Sequence, residues 1–203
     1  IMVDGEGAVV DGDLLLYIIA TSRQQSGELH GPVVGTLMTN LGLEHAFQKK
    51  SIPFMRAAVG DRYVLELLQQ HGGIIGGESS GHMLCLDRTT TGDGIVSVLQ
   101  VLYEVVESGK TLAELTAEVQ RYPQKMINVR LRDCKVKSTA IIESAVVDVE
   151  QRLGERGRVL LRPSGTEPLV RVMVEGQDAG EVNALTEELA EVVRREVGAI
   201  TSL

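Results

Sequence analysis

The spacing of apolar residues changes several times along the chain, and each change marks an element. Ile1-Met2-Val3 and Val9-Val10 flank a stretch carrying Gly5 and Gly7, which predicts a strand, a turn and a second strand. From Asp11 the period becomes helical. Leu14, Leu15, Ile18 and Ile19 share a face, and Asp11 and Asp13 are capping candidates. The polar stretch 21–31 predicts a loop. Residues 32–38 read as a short buried strand, and 40–50 as a helix turning Leu43, Ala46 and Phe47 inward. A strand over 52–59 leads into a helix over 61–71, set by Val64, Leu67 and Leu68. Strands and helices alternating at this spacing predict an α/β layer with largely parallel pairing.

Residues 72–86 break that rhythm. Gly72, Gly73, Gly76, Gly77 and Gly81 lie among two apolar runs, Ile74-Ile75 and Met83-Leu84-Cys85-Leu86, which predicts two strands joined by a glycine-dense loop. Helices are expected over 95–107 and again from Thr111, where Thr111 and Glu114 have capping-box spacing, ending before Pro123. After Pro123 the pattern restarts with a strand over 125–133, then an amphipathic helix over 138–153 stopped by Gly154. Strands over 158–162 and 169–175 follow, then a closing helix over 178–197 with Val182, Leu185, Leu189, Val192 and Val193 on one face. The expected architecture is therefore an α/β mixed-sheet domain followed by a smaller α+β domain of order β-α-β-β-α. Pro123 and the weak apolar pattern around it place a hinge near residues 121–124.

Composition narrows the function classes. Hydrophobic residues make up 43% and charged residues 24% of the 203, a globular mix. Aromatic residues are only 3%, so the core must come from Val, Leu, Ile, Ala and Met. A formal net charge of −8 argues against nucleic-acid and anionic-membrane partners. No apolar run approaches the roughly 18 residues of a spanning helix. A basic, apolar leader is absent, and Cys85 and Cys134 lack metal spacing, which fits a reduced, cytoplasmic compartment. A first residue inside a predicted strand, with no initiator Met, suggests a piece of a longer chain.

Two loops could carry chemistry. Arg162-Pro163-Ser164-Gly165-Thr166-Glu167-Pro168-Leu169-Val170-Arg171 places hydroxyls and a glycine between two prolines, with an arginine at each end. Backbone N–H groups in such a turn can cradle an anion, and the arginines add charge-assisted bonds to phosphate. An ordinary hairpin turn has the same composition. Gly76-Gly77-Glu78-Ser79-Ser80-Gly81-His82 offers a carboxylate, hydroxyls and an imidazole suited to a polyhydroxylated ligand, or simply a strand connection facing water. Asp61 and Asp93 read first as helix caps, and Asp11-Gly12-Asp13 as turn plus cap rather than a cation site. His30, His45 and His71 show no ligand spacing, and neither cysteine has a neighbouring base.

Taken together, GESSGH at 77–82 and RPSGTEPLVRVMVEG at 162–176 resemble signature loops of the α-D-phosphohexomutase superfamily. Within it, residues 34–44, the run Val59-Gly60-Asp61-Arg62-Tyr63-Val64 and TTTGDG at 89–94 are similar to the bacterial phosphoglucosamine mutase branch. The resemblance implies a domain-3-like sugar-binding unit over 8–120 and a phosphate-binding unit over 121–203, with 1–7 closing a preceding metal-loop domain. It implies that Glu78, Ser80, His82, Asp61 and Arg62 face the sugar, and that Arg162, Ser164, Gly165, Thr166 and Arg171 hold phosphate. The phosphoglucomutase/phosphomannomutase branch places a lysine and a histidine where Val34-Gly35 and Asp61 fall here, which leaves the general base unassigned.

The expected reaction interconverts glucosamine 6-phosphate and glucosamine 1-phosphate through a phosphoserine and a 1,6-bisphosphate. The family's serine loop and DGDGDR metal loop do not occur in these residues, so Mg2+ would belong to the intact enzyme and the chain alone is expected to be inactive. A phosphorylated amino sugar is the expected partner, with a homodimer as an open expectation. The alternatives are the phosphomannomutase/phosphoglucomutase branch and a non-catalytic phosphosugar-binding module.

Overall fold

The computed structural model describes residues 1–131, 139–164 and 167–196. The chain divides into two compact units, residues 1–121 and 122–203. The last residue of the first unit and the second residue of the other are each bonded within their own unit. Arg121 pairs with Asp11 at 2.6 Å in the first unit, while the Gly176 N–H donates to the Pro123 carbonyl at 3.1 Å in the second.

The first unit opens on a small antiparallel hairpin, β1 (Met2–Val3) with β2 (Val9–Val10). Helix α1 (Gly12–Gln25) follows, capped by the Asp11 carboxylate, which accepts from the Leu14 N–H at 3.2 Å. Its continuation through residues 21–25 overturns the predicted loop. Thr21 donates its hydroxyl back to the Tyr17 carbonyl, and Arg23 is buried against Asp87 at 3.0 Å. Polar residues with such partners can stay in a buried helix, and polarity alone does not reveal them.

The sheet has spatial order β4-β3-β5-β6, from β3 (Val33–Thr36), β4 (Phe54–Ala57), β5 (Ile75–Gly77) and β6 (Met83–Cys85). Both β4 and β5 run parallel to β3, and only β6 is antiparallel. The mixed sheet expected from the sequence is thus present. All four residues of β3 are buried, as expected for a central strand covered on both faces. Helix α2 (Leu41–Lys49) turns Leu43, Ala46 and Phe47 into the core, and α3 (Asp61–His71) buries Val64 and Leu68.

Helix α4 (Gly94–Ser108) starts at Asp93, whose carboxylate accepts from the Ile95 and Val96 N–H groups. It buries Ser97 and Val101, while Ile95, Leu99, Leu102, Tyr103 and Val106 form an apolar stripe 43% to 76% exposed. The short α5 (Leu112–Thr116) carries the predicted Thr111–Glu114 capping box in both directions.

The second unit is an antiparallel sheet of order β7-β9-β8, from β7 (Gln124–Arg130), β8 (Gly157–Pro163) and β9 (Leu169–Gly176). Helices α6 (Ala140–Leu153) and α7 (Ala179–Glu196) pack on it, completing the β-α-β-β-α order. Val170, Val172 and Val174 of the central strand are buried. The predicted extensions of the first strand and the closing helix, to 133 and 197, end outside the described residues.

Candidate functional site

Parallel pairing of β4 and β5 with β3 sends two loops out from the same carboxyl ends of the strands, the position where open α/β sheets bind ligands. One loop turns at Gly60, whose φ of 128° is a conformation side chains seldom adopt, and leads into α3. The other is the 78–82 connection between β5 and β6. They meet. The Gly60 N–H donates to Glu78 Oε1 at 3.0 Å, and His82 Nε2 lies 3.3 Å from Asp61 Oδ2. Segments some twenty positions apart in sequence thus form one polar surface.

Glu78 Oε2 and the Ser80 hydroxyl make no hydrogen bond among the described residues, so both remain open to a ligand. Arg62 does not join this cluster. It pairs with Glu66 at 2.8 Å, and its side chain is 79% exposed.

Two glycines that read as turn or cap positions prove to shape the site. The Gly12 N–H donates to the Ser79 carbonyl at 3.1 Å, and a Cβ at Gly12 would stand 2.6 Å from the Gly81 nitrogen. The 78–81 loop therefore rests on the start of α1. A Cβ at Gly92 would collide with His82 Nε2, so Gly92 backs the imidazole ring. Their sequence signal was slight: each is a glycine beside a capping aspartate.

In the second unit Arg162 and Arg171 stand directly opposite one another on β8 and β9. The Nε atoms of both are buried without a hydrogen-bond partner. Burial, and then the neighbouring charge of Arg171, lower the Arg162 pKa from its ordinary value. Like charges facing across a ladder destabilise a sheet unless something negative joins them. The hairpin beyond them is closed by Ser164, whose N–H donates to the Leu169 carbonyl at 2.8 Å while its hydroxyl accepts from the Glu167 N–H at 3.3 Å. Gly165 and Thr166 lie outside the described residues.

The described residues do not suit a divalent metal. Asp11 is engaged by Leu14 and Arg121, and buried Asp13 accepts from the Asn40 N–H at 2.8 Å. Among the described residues, His, Cys, Asp and Glu form no group of three that could hold an ion. A thiol nucleophile fits no better. Burial, with Asp87 adding to it, pushes the Cys85 pKa up to about 11, and Cys134 lies outside the described residues.

Sequence comparison divides the chain as its folding does. Residues 11–122 match the profile of the phosphoglucomutase/phosphomannomutase alpha/beta/alpha domain III, and residues 126–192 that of the same family's C-terminal domain. The chain belongs to the phosphoglucomutase/phosphomannomutase family. Among relatives of this family, the phosphoglucosamine mutase of Methylococcus capsulatus is 58% identical over 96% of this chain and 44% of its own length. That of Alkalilimnicola ehrlichii is 58% identical over 100% of this chain and 45% of its own.

A crystal structure of Aspergillus fumigatus N-acetylphosphoglucosamine mutase, in complex with GlcNAc-6P and magnesium, superposes with a TM-score of 0.80 at 20% identity. It is matched over 97% of this chain and 46% of its own, and at that identity it speaks for the fold. The chain spans under half the length of the curated relatives it matches. It carries the family's domain III and C-terminal domain.

Proposed function

We propose that these residues are the sugar- and phosphate-recognising part of a phosphoglucosamine mutase. The observation that carries the reading is the facing pair Arg162 and Arg171, with buried, unpartnered Nε atoms beside the Ser164 turn. Such a pair is stabilised by a dianion, and a phosphate monoester is the dianion a phosphosugar supplies. In this reading Gly165 and Thr166 also bind the phosphate. Glu78, Ser80, His82, Asp61 and Arg62 line the sugar side, with Arg62 turning from Glu66 toward substrate.

Residues 8–120 then form the sugar-binding domain and 121–203 the phosphate-binding domain, while 1–7 close a preceding metal-loop domain. The intact enzyme transfers phosphate between a serine and either end of glucosamine phosphate through a 1,6-bisphosphate. One cationic grip serves both orientations because it recognises charge, not the sugar carbon bearing it. The magnesium of that reaction would be held by residues outside this chain. A cytoplasmic setting fits a phosphorylated substrate, and the described residues contain no helix long and apolar enough to cross a membrane.

Titrating the 203-residue chain with inorganic phosphate and with glucosamine 6-phosphate, read by amide NMR, tests the grip. Shifts are expected around 162–171, weakening as salt rises. Equal binding by Arg162→Ala/Arg171→Ala would remove the hairpin from the site. For the sugar side, Glu78→Ala in an intact mutase carrying these residues should lower catalytic efficiency toward glucosamine 6-phosphate while leaving phosphate binding unchanged.

A further inference from the structure

The contact between Asp61 and His82 reaches beyond a shared surface. Asp61 is the first residue of α3, and its carboxylate is oriented at one end: Oδ1 accepts from the Arg62 N–H at 2.8 Å. The other oxygen, Oδ2, lies 3.3 Å from His82 Nε2. The preceding residue is anchored to the same loop, because Glu78 takes the Gly60 N–H. At the same nitrogen, Gly92 stands so close that a Cβ there would strike Nε2 and lie 2.8 Å from His82 Cε1 and 3.1 Å from Cδ2. The Nε2 end of the imidazole thus meets both a carboxylate and a bare backbone, while 45% of the side chain stays exposed.

A neutral imidazole carries its one proton on either nitrogen, and the surroundings decide which. The 3.3 Å contact is a charge contact rather than an aligned hydrogen bond, and the nearby negative charge favours a proton over a lone pair on Nε2. We propose that Asp61 is a positioning residue: it holds His82 as the Nε2–H tautomer and leaves Nδ1 as an acceptor for a sugar hydroxyl. The last clause rests on the sugar-binding reading above; the tautomer does not. Nδ1 makes no hydrogen bond among the described residues and is available for that role. The acid acts through the histidine, which is why a residue already at a helix N-terminus would matter to the ligand.

Long-range 15N–1H NMR of the imidazoles in the 203-residue chain reads this directly, above the ~6.5 at which free histidine titrates. The chain has four histidines, and His82→Asn assigns the signal. In the unsubstituted chain His82 should be a single Nε2–H species. Asp61→Ala should raise the Nδ1–H population severalfold, and Asp61→Lys, which puts a cation where the acid was, should make Nδ1–H the major form. Gly92→Ala, which displaces the ring rather than the acid, should move the populations in the same direction as Asp61→Ala. Unchanged populations in Asp61→Ala and Asp61→Lys, with the other amide signals in place, would overturn the inference.

An intact mutase separates the two claims. Asp61→Ala should lower kcat without weakening phosphate binding at the 162–171 hairpin. A tautomer that responds to Asp61 in an enzyme indifferent to both Asp61→Ala and Glu78→Ala would instead overturn the sugar-binding reading.

Discussion

Gly12 shows how one residue can reverse a general rule. Glycine to alanine in a helix ordinarily stabilises by roughly 0.5–1 kcal/mol. Here the added methyl would enter the backbone of the 78–81 loop, 2.6 Å from the Gly81 nitrogen. Gly12→Ala is therefore expected to destabilise by about 1–3 kcal/mol, the usual cost of overpacking, and to shift the amides of 78–82. Urea denaturation reads the first effect and NMR the second; a gain in stability would mean that the loop does not rest on α1.

Tyr17 gives a pH-dependent test. Its hydroxyl donates to Glu118 Oε2 at 2.7 Å, and burial, then that bond and the carboxylate's charge, raise the phenol pKa well above the ordinary range. An unfolded tyrosine loses its proton near ~10, before the folded one does. The folded state then holds more protons, so stability is complete below that pH and falls as pH rises through it. Tyr17→Phe removes this loss, so the gap between the two proteins' urea midpoints should narrow from about pH 8 to 11. A constant gap would refute the assigned environment.

Among elements, α4 is the sharpest contrast between a cap and a surface. Asp93 satisfies two N–H groups at its start, so Asp93→Ala should cost about 0.5–2 kcal/mol. Ile95 and Val106 are more than 70% exposed, so Ile95→Lys and Val106→Lys should change stability by no more than about 0.5 kcal/mol. Urea midpoints that rank these substitutions the other way would place the stripe against the core. The helices and strands themselves were mostly legible from periodicity, because each buried face repeats at the spacing of its own geometry. The end of α1 was not. Thr21 and Arg23 are polar, and what buries them is a back-bonded hydroxyl and an ion pair to Asp87, sixty-four positions away.

At the scale of the molecule, each unit has its own core. Leu16, Phe47 and Ile75 belong to the first, and Val129, Val172 and Leu189 to the second. Val172→Ala should cost roughly 2–4 kcal/mol locally, as buried truncations do. Hydrogen exchange should then quicken in β7, β8 and β9 while α1 and β3 keep their protection. Equal loss in both would show one cooperative unit.

By itself the sequence determined the order of elements, the caps at Asp11, Asp93 and Thr111, the division near residue 121 and the two loops that resemble phosphohexomutase signatures. These are local properties, written in spacing and in residue type. Only the tertiary structure decided that Asp61 meets His82 and that Glu78 reaches Gly60. That meeting depends on β3 lying between β4 and β5, a lateral order that period and propensity do not encode. The opposition of Arg162 and Arg171 was likewise a matter of strand register, settled by which residues pair across the β8–β9 hairpin.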